Sequence, residues 1–162
     1  MRIIGIDPGL VATGYGIIYK EEERSLFVTA GSITTSSKDS ISKRLKIIYN
    51  GIVSLIEQYK PSVLVVEDTF LARNIQTAIK LGQARGVALL AGENHNLPVY
   101  EYTPTEIKLG IVGYGGAKKE QVAYMVRAIL KSNSVPDSHH AGDALAAAIC
   151  HSHSMKMAEL TR

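Results

Sequence analysis

The stretch from Arg2 to Tyr19, RIIGIDPGLVATGYGIIY, decides the fold class of this chain. Residues 2–7 are typical of a short buried strand that ends in an acid, and a proline–glycine pair then turns the chain. Residues 14–19 predict a second strand, and the alternation over residues 25–33 predicts a third. Three consecutive strands joined by short turns predict an antiparallel meander at the start of the fold.

Helical patterns and apolar runs alternate through the rest of the chain. Apolar residues at steps of three and four predict a helix over residues 41–59, and the run Val63 to Val66 is typical of a strand covered on both faces. The remaining predicted elements are helices over 73–93, from 103 onward, over 117–131 and from about 137 to 155, and a strand over 99–102. Together they predict an α/β fold, a five-stranded mixed sheet with three antiparallel strands first and two parallel strands after them, flanked by helices.

The bulk composition restricts the class of protein. With 162 residues, of which 46% are hydrophobic and 20% charged, the chain predicts one globular domain with its own core. The single cysteine, Cys150, excludes an internal disulfide and favours a reducing, cytoplasmic setting. No segment approaches ~20 continuous apolar residues, so no membrane span is expected. The early acid and proline argue against a signal peptide. A net charge of +3 permits a polyanionic partner without indicating one.

Two acids end strands with a buried pattern, Asp7 after RIIGI and Glu67 after VLVV. If these strands are neighbours, both carboxylates emerge at one sheet edge, where they repel each other unless one takes a proton or a cation lies between them. Asp7 before Pro-Gly is also a common turn former, so a purely structural role is the alternative for it. Glu67 favours a functional role, because glutamate is a poor turn residue.

The stretch DSHHAGDALAAAIC, residues 137–150, crowds two acids and two histidines into seven residues. Asp137 is predicted to cap a helix, and Asp143 shares a helix face with His140 and His139. One interpretation is an ordinary solvated first turn, in which acids favour the helix dipole. The other is a ligand cluster, because the small residues after Asp143 would let this helix lie close against the sheet.

In the second interpretation, Asp143 projects toward the sheet edge that carries Asp7 and Glu67. Three carboxylates and one imidazole then form a site for hard cations, of the kind used in two-metal phosphodiester hydrolysis. One ion would orient a water, and the other would stabilise the leaving 3′ oxygen.

Several motifs in this chain resemble one known family. They are GIDPGL-x-x-TG-x-G around Asp7, VLVVE ending at Glu67, KLGQARGV over residues 80–87, GYGGAKKEQV over residues 113–122, and DALAAAI from Asp143. In this order they resemble the RuvC-type Holliday junction resolvases over about residues 2–153. The resemblance implies a ribonuclease H-like nuclease domain, placed here at residues 1–155, with a flexible tail over residues 156–162.

The resemblance also implies an activity and its partners. The family's members are homodimeric, Mg²⁺- or Mn²⁺-dependent endonucleases with two ions in each active site. They nick two opposing strands of a four-way DNA junction during recombination and repair, leaving 5′-phosphate and 3′-hydroxyl ends. A branch-migration helicase complex is the further partner that the family implies. Two symmetric cuts also call for a two-fold dimer, since one acid set cuts one phosphodiester.

Carried over onto this chain, the family's first acid falls on Asp7, its glutamate on Glu67 and its last acid on Asp143. The fourth ligand position, three residues before the last acid, falls on His140. Family members carry either Asp or His there, and the better-known pattern has Asp. An imidazole adds no negative charge and favours Mn²⁺ over Mg²⁺, and it could instead shuttle a proton. His139 is a reserve candidate.

The predicted DNA contacts also come from the resemblance. Phe70 falls where the family has an aromatic residue near the junction centre, and it could wedge against an unstacked base or belong to the core. Lys108 and Lys119 fall on family lysines near the scissile phosphate, although by themselves they would be solvated helix lysines. Phosphate contacts are further predicted for four residues near the helix that follows Glu67: Arg73, Asn74, Gln76 and Arg85. That helix is the family's dimer contact, so some of the four could face a partner subunit.

Two other functions fit parts of the pattern. IDPGLVATGYG resembles the first phosphate loop of the actin and sugar-kinase superfamily. Those proteins need a second acid–glycine loop and an adenosine-binding glycine pair, for which 162 residues leave no room. A junction-binding module without activity is the other alternative, and the complete acid set argues against it. Metal-dependent cleavage of a junction compared with a linear duplex separates all three functions.

Overall fold

The fold is built on one five-stranded sheet in the computed structural model, which describes residues 1–68 and 74–160. The strands are β1 (Arg2–Asp7), β2 (Ala12–Glu21), β3 (Arg24–Thr34), β4 (Val63–Glu67) and β5 (Val99–Tyr102). Their order across the sheet is β3-β2-β1-β4-β5. β1, β2 and β3 pair antiparallel, whereas β4 pairs parallel to β1 and β5 parallel to β4. The predicted mixed sheet is therefore confirmed.

Five helices accompany the sheet in the part of the chain that the structure describes. They are α1 (Ile41–Tyr59), α2 (Ile75–Asn94), α3 (Pro104–Val112), α4 (Lys119–Leu130) and α5 (His139–Leu160). The bounds predicted for α1 are confirmed, and the predicted start of α3 is confirmed by a capping box between Thr103 and Glu106. The predicted end of α5 near residue 155 is wrong, because the helix continues to Leu160. None of the helices in residues 1–68 and 74–160 is long and apolar enough to cross a bilayer.

The helices cover the two faces of the sheet. On one face, Ile4, Ile6 and Val66 pack against α1 and α2 in one buried cluster. On the other face, Ile3 and Val65 pack against α3, α4 and α5. Successive side chains of a strand point to opposite faces, and both faces of β1 and β4 are covered, so the residues before the terminal acid of each strand are buried and uncharged, apart from the exposed Arg2.

Helix α5 lies directly on the central strands. Its residues 144–149 are at most 1% exposed and consist of four alanines, one leucine and one isoleucine. Opposite them is Gly5 of β1, where an added Cβ would lie 2.0 Å from the carbonyl oxygen of Ala144. Small residues on both sides therefore allow this close approach, as the alanine-rich sequence predicted.

Candidate active site

The acids Asp7 and Glu67 end neighbouring parallel strands. The register between β1 and β4 pairs Ile6 with Val66, so the two acids follow one residue later at the same edge of the sheet. Alternation places Asp7 on the face of Ile3, and it places Glu67 on the face of Val65. Both acids therefore belong to the face that α5 covers.

Helix α5 brings His140 to Asp7. The His140 Nδ1 atom lies 2.8 Å from Asp7 Oδ2, and the two side chains are 51% and 14% exposed, respectively. An ionised carboxylate can only accept, so with Asp7 ionised it is Nδ1 that carries the hydrogen. The neutral imidazole then has its lone pair on Nε2, which is the nitrogen that can bind a cation or accept a proton.

A glycine makes this contact possible. Gly14 of β2 pairs with Asp7, and an added Cβ at Gly14 would lie 2.1 Å from the backbone oxygen of His140. The first turn of α5 thus rests on the backbone of β2 with no side chain between them. Gly14 thereby sets the height of His140 above the sheet.

Asp143, one helical turn after His140, completes the set of charges around Asp7. Its Oδ2 lies 3.6 Å from the amine of Lys119, which is at the start of α4. Burial raises the pKa of the Asp7 carboxyl above its ordinary value, and the charge of Asp143 raises it further. The hydrogen bond with His140 and the charges of His140 and Lys119 act in the opposite direction. Asp7 and Asp143 therefore repel each other, and each has a nitrogen-bearing side chain beside it.

The residues fit a divalent cation in chemistry and in location. Carboxylate oxygens are the ligands that Mg²⁺ prefers, and an imidazole broadens the choice to Mn²⁺. Among the described residues, however, no three acidic, histidine or cysteine side chains converge closely enough to enclose an ion. A bound cation would give the carboxylates of Asp7 and Asp143 a further partner beside the nitrogens of His140 and Lys119.

The helix cap differs from the prediction. Asp137 was predicted as the N-cap of α5, but the helix begins at His139, and Ser138 precedes it with its backbone oxygen accepting from Gly142. The Ser138 hydroxyl lies 3.5 Å from the Ala141 amide. Asp137 instead forms an exposed ion pair with Arg127 of α4. His139 lies on the exposed side of the first turn.

The predicted DNA contacts have varied surroundings. Phe70 and Arg73 lie outside the described residues. Asn74 caps α2 by accepting from the Thr77 amide, while Gln76 is exposed in the first turn of that helix. Lys108 is half-buried on α3, and Lys119 is exposed beside Asp143.

Arg85 was predicted as a phosphate contact, but its guanidinium forms ion pairs within its own chain, with Asp68 and Glu101. This cluster was not predicted from the sequence. Its partners follow β4 and lie on β5, so no spacing in the sequence joins them.

A cleft beside the acids was also not predicted from the sequence. It has a volume of about 350 Å³ and lies between α4 and the start of α5. Lys119 and Asp143 line one part of it, and Tyr124, Arg127 and His139 line other parts. The cleft therefore opens next to the proposed cation ligands and combines basic, aromatic and apolar walls.

Comparisons with known proteins point to one family. The profile of crossover junction endodeoxyribonuclease RuvC matches residues 3–151. The protein of that name from Geobacter sp. (strain M21) is 49% identical over 162 residues, covering 100% of this chain and 98% of its own length. The one from Natranaerobius thermophilus is 44% identical over 157 residues, covering 97% of this chain and 98% of its own.

A solved structure agrees with these sequence matches. The structure of Thermus thermophilus RuvC in complex with Holliday junction substrate has 32% sequence identity and a TM-score of 0.92. The match covers 98% of this chain and 96% of that chain. The expected ribonuclease H-like fold is therefore confirmed.

Proposed function

The chain belongs to the RuvC family of crossover junction endodeoxyribonucleases, and from this we propose that it resolves four-way (Holliday) DNA junctions by paired symmetric nicks. The observation that carries the proposal is the meeting of His140 with Asp7, at the sheet edge where Glu67 and Asp143 also lie. The Thermus thermophilus relative was solved with Holliday junction substrate, and its fold covers nearly this whole chain. The expected role is in homologous recombination and repair.

We assign the hydrolytic chemistry to Asp7, Glu67, His140 and Asp143, which would hold two Mg²⁺ or Mn²⁺ ions. Bound cations would supply positive charge at the scissile phosphate and would relieve the repulsion between the carboxylates. The Nε2 atom of His140 can accept a proton near the attacking water or donate one near the leaving oxygen, provided that Asp7 keeps its bond to Nδ1. Cleavage of the bond to the 3′ oxygen leaves 5′-phosphate and 3′-hydroxyl ends.

The DNA would reach this edge through basic side chains around the cleft. Lys119 lies 3.6 Å from Asp143, so its amine is within reach of a phosphate bound at the acids. Lys108, Asn74 and Gln76 are proposed as outer phosphate contacts, and Phe70 and Arg73 are proposed from the family resemblance. Arg85 is left out of this set because two carboxylates already surround it.

We also propose a homodimer formed through α2. This helix carries an exposed apolar stripe with Ile75 at 78%, Ile79 at 56% and Leu90 at 53% exposure. Gly82 and Gly86 lie on the same stripe, with open space in front of each. Positions spaced by three and four residues share one helix face. A two-fold axis that passes through this face would bring the α2 stripes of two subunits together. The dimer would supply the two acid sets, and a branch-migration helicase complex is its expected partner.

Substituting Ile79 with Glu should disrupt this dimer. A charge in the centre of an apolar helix pair is desolvated without a partner, so the dimer dissociation constant should rise about 30-fold or more, corresponding to a hot-spot loss of about 2 kcal/mol. Sedimentation equilibrium measures this constant. The matched control is Ile41→Glu, an exposed isoleucine on α1 away from the stripe. An unchanged dimer in Ile79→Glu, or equal loss in both variants, would refute the assignment.

Substituting His140 with Asp should change the metal preference. The variant replaces an imidazole with a fourth hard oxygen donor, so the ratio of the Mn²⁺-supported to the Mg²⁺-supported cleavage rate should fall on the order of tenfold. The control is His139→Asp, an equal change on the neighbouring exposed position. If His140→Asp leaves the ratio unchanged but loses its rate in both metals, His140 acts through its proton and not as a ligand.

A further inference from the structure

We propose that Arg85 is a positioning residue that holds the Glu67 carboxylate in place for cation binding. This inference rests on the proposed function, since it concerns the same site. It replaces the prediction that Arg85 contacts phosphate. The contacts that carry it join three elements of the fold: the helix α2, the end of β4 and the strand β5.

The guanidinium of Arg85 is held by two carboxylates. Its Nη1 atom lies 2.6 Å from Asp68 Oδ1, its Nη2 atom lies 2.6 Å from Glu101 Oε1, and its Nε atom donates to the same Oε1 at 2.7 Å. Contact through two nitrogens fixes the plane of the guanidinium, which a lysine could not do. Arg85 therefore links α2 to the end of β4 and to β5 in a fixed geometry.

One of the two carboxylates that pair with Arg85 belongs to Asp68, the residue next to Glu67. Asp68 is 9% exposed, and its amide donates to the Tyr102 carbonyl at 2.8 Å. Glu67 itself pairs with Tyr102 as the last residue of β4. A buried carboxylate without a cationic partner is strongly unfavourable, so loss of Arg85 would drive Asp68 toward solvent. The backbone that carries Glu67 would move with it.

The local charge argues against direct contact with DNA. The cluster of Arg85, Asp68 and Glu101 contains one positive and two negative side chains. A phosphate that approached Arg85 would meet this net negative charge and would have to compete with two carboxylates for the same nitrogens. The guanidinium is better suited to organise its own chain than to bind a polyanion.

The test compares metal binding, junction binding and stability in Arg85→Gln, Arg85→Lys and Ile56→Val. Ile56 lies in the α1 core, so Ile56→Val controls for a loss of stability away from the site. Calorimetric titration with Mn²⁺, the Mg²⁺ concentration for half-maximal cleavage, junction affinity in EDTA and the melting temperature are measured for each protein. Arg85→Gln should weaken Mn²⁺ binding and raise the half-maximal Mg²⁺ concentration by about tenfold or more. Arg85→Lys should recover part of this loss, and junction affinity should not change.

Each other outcome overturns the inference. Loss of junction affinity with an unchanged metal requirement would make Arg85 a phosphate contact. An effect matched by Ile56→Val at equal loss of melting temperature would reduce Arg85 to general stability. Should Arg85→Gln fail to fold, Glu101→Gln carries the same prediction with a smaller shift, and an unchanged metal requirement there overturns it. If the wild-type protein does not cleave junctions, the proposed function itself is refuted. If the wild type cleaves junctions and the variants keep its Mn²⁺ affinity and Mg²⁺ requirement, only the role of Arg85 is refuted.

Discussion

Replacing Asp7 with Asn is expected to remove junction cleavage while junction binding remains. The amide keeps the size of the side chain and a partner for His140, but it removes the charge that a cation needs. Loss of a residue that only supports a metal ligand already costs about 10–100-fold, so loss of a proposed ligand should exceed about a hundredfold. Single-turnover cleavage and gel-shift binding of a four-way junction measure the two effects.

The same variant should be more stable than wild type in the absence of metal. Burial raises the pKa of Asp7 in the folded state, so the folded protein holds this proton more tightly than the unfolded chain does. The contribution of Asp7 to stability is therefore fully present in acid, and it is lost as the pH rises through the raised folded pKa. At neutral pH, ionisation of Asp7 therefore favours the unfolded chain over the folded protein and lowers the stability of the wild type. Asp7→Asn removes this loss of stability, so its melting temperature in EDTA should lie above that of wild type.

A surface acid provides the matched control. Asp39→Asn removes a carboxylate that pairs with Lys43 on the exposed start of α1. This variant should retain both cleavage and binding, and its metal-free stability should not rise. Persistent cleavage by Asp7→Asn would show that Asp7 does not belong to the active site. A melting temperature of Asp7→Asn below that of wild type in EDTA would show that the Asp7 carboxylate stabilises the fold.

Replacing Gly14 with Ala should affect both stability and cleavage. The added Cβ would lie 2.1 Å from the oxygen of His140 and 2.5 Å from its carbonyl carbon, and neither backbone atom can yield without shifting α5. Overpacking of this kind costs about 1–3 kcal/mol of unfolding free energy. A displacement of His140 by about 1 Å is expected to lower the cleavage rate about a hundredfold. Denaturant unfolding and cleavage rates in folded protein measure the two losses separately.

Gly142 provides the control for this substitution. It lies on α5 within the same turn as His140, and an added Cβ there would meet open space. Gly142→Ala should therefore stabilise the helix, by up to about 1 kcal/mol. If Gly14→Ala unfolds at the same denaturant concentration as wild type and cleaves at the same rate, the close contact between β2 and α5 does not set the position of His140.

The sequence predicted the elements whose signals are local. The apolar spacing of α1 and its ending before Pro61 fixed its bounds, and the unbroken apolar run before Glu67 correctly indicated a strand covered on both faces. The small residues of α5 likewise indicated its close approach to the sheet. These features depend on periodicity and side-chain size, which a single sequence displays directly.

The remaining features depend on tertiary contacts. Aspartate and serine can both cap a helix, so the sequence alone did not decide between Asp137 and Ser138. In the structure Asp137 pairs with Arg127, and Ser138 takes the capping position. The partners of Arg85 lie 16 and 17 positions away on other elements, so its charge suggested a phosphate contact when only its helix was considered. The predicted domain boundary and the roles of Phe70 and Arg73 stay predictions.

The acids at this sheet edge are expected to cut four-way junctions, and a cleavage assay on labelled DNA checks this. A synthetic junction and a linear duplex of the same sequence, each end-labelled on every strand, are incubated with the protein in Mg²⁺ or in EDTA. We expect nicks at symmetric positions on two opposing strands of the junction, which a ligase can reseal. These nicks should form in Mg²⁺ but not in EDTA, and the duplex should stay intact. Equal cutting of the duplex, or cutting of the junction in EDTA, would show that the protein is not a metal-dependent junction resolvase.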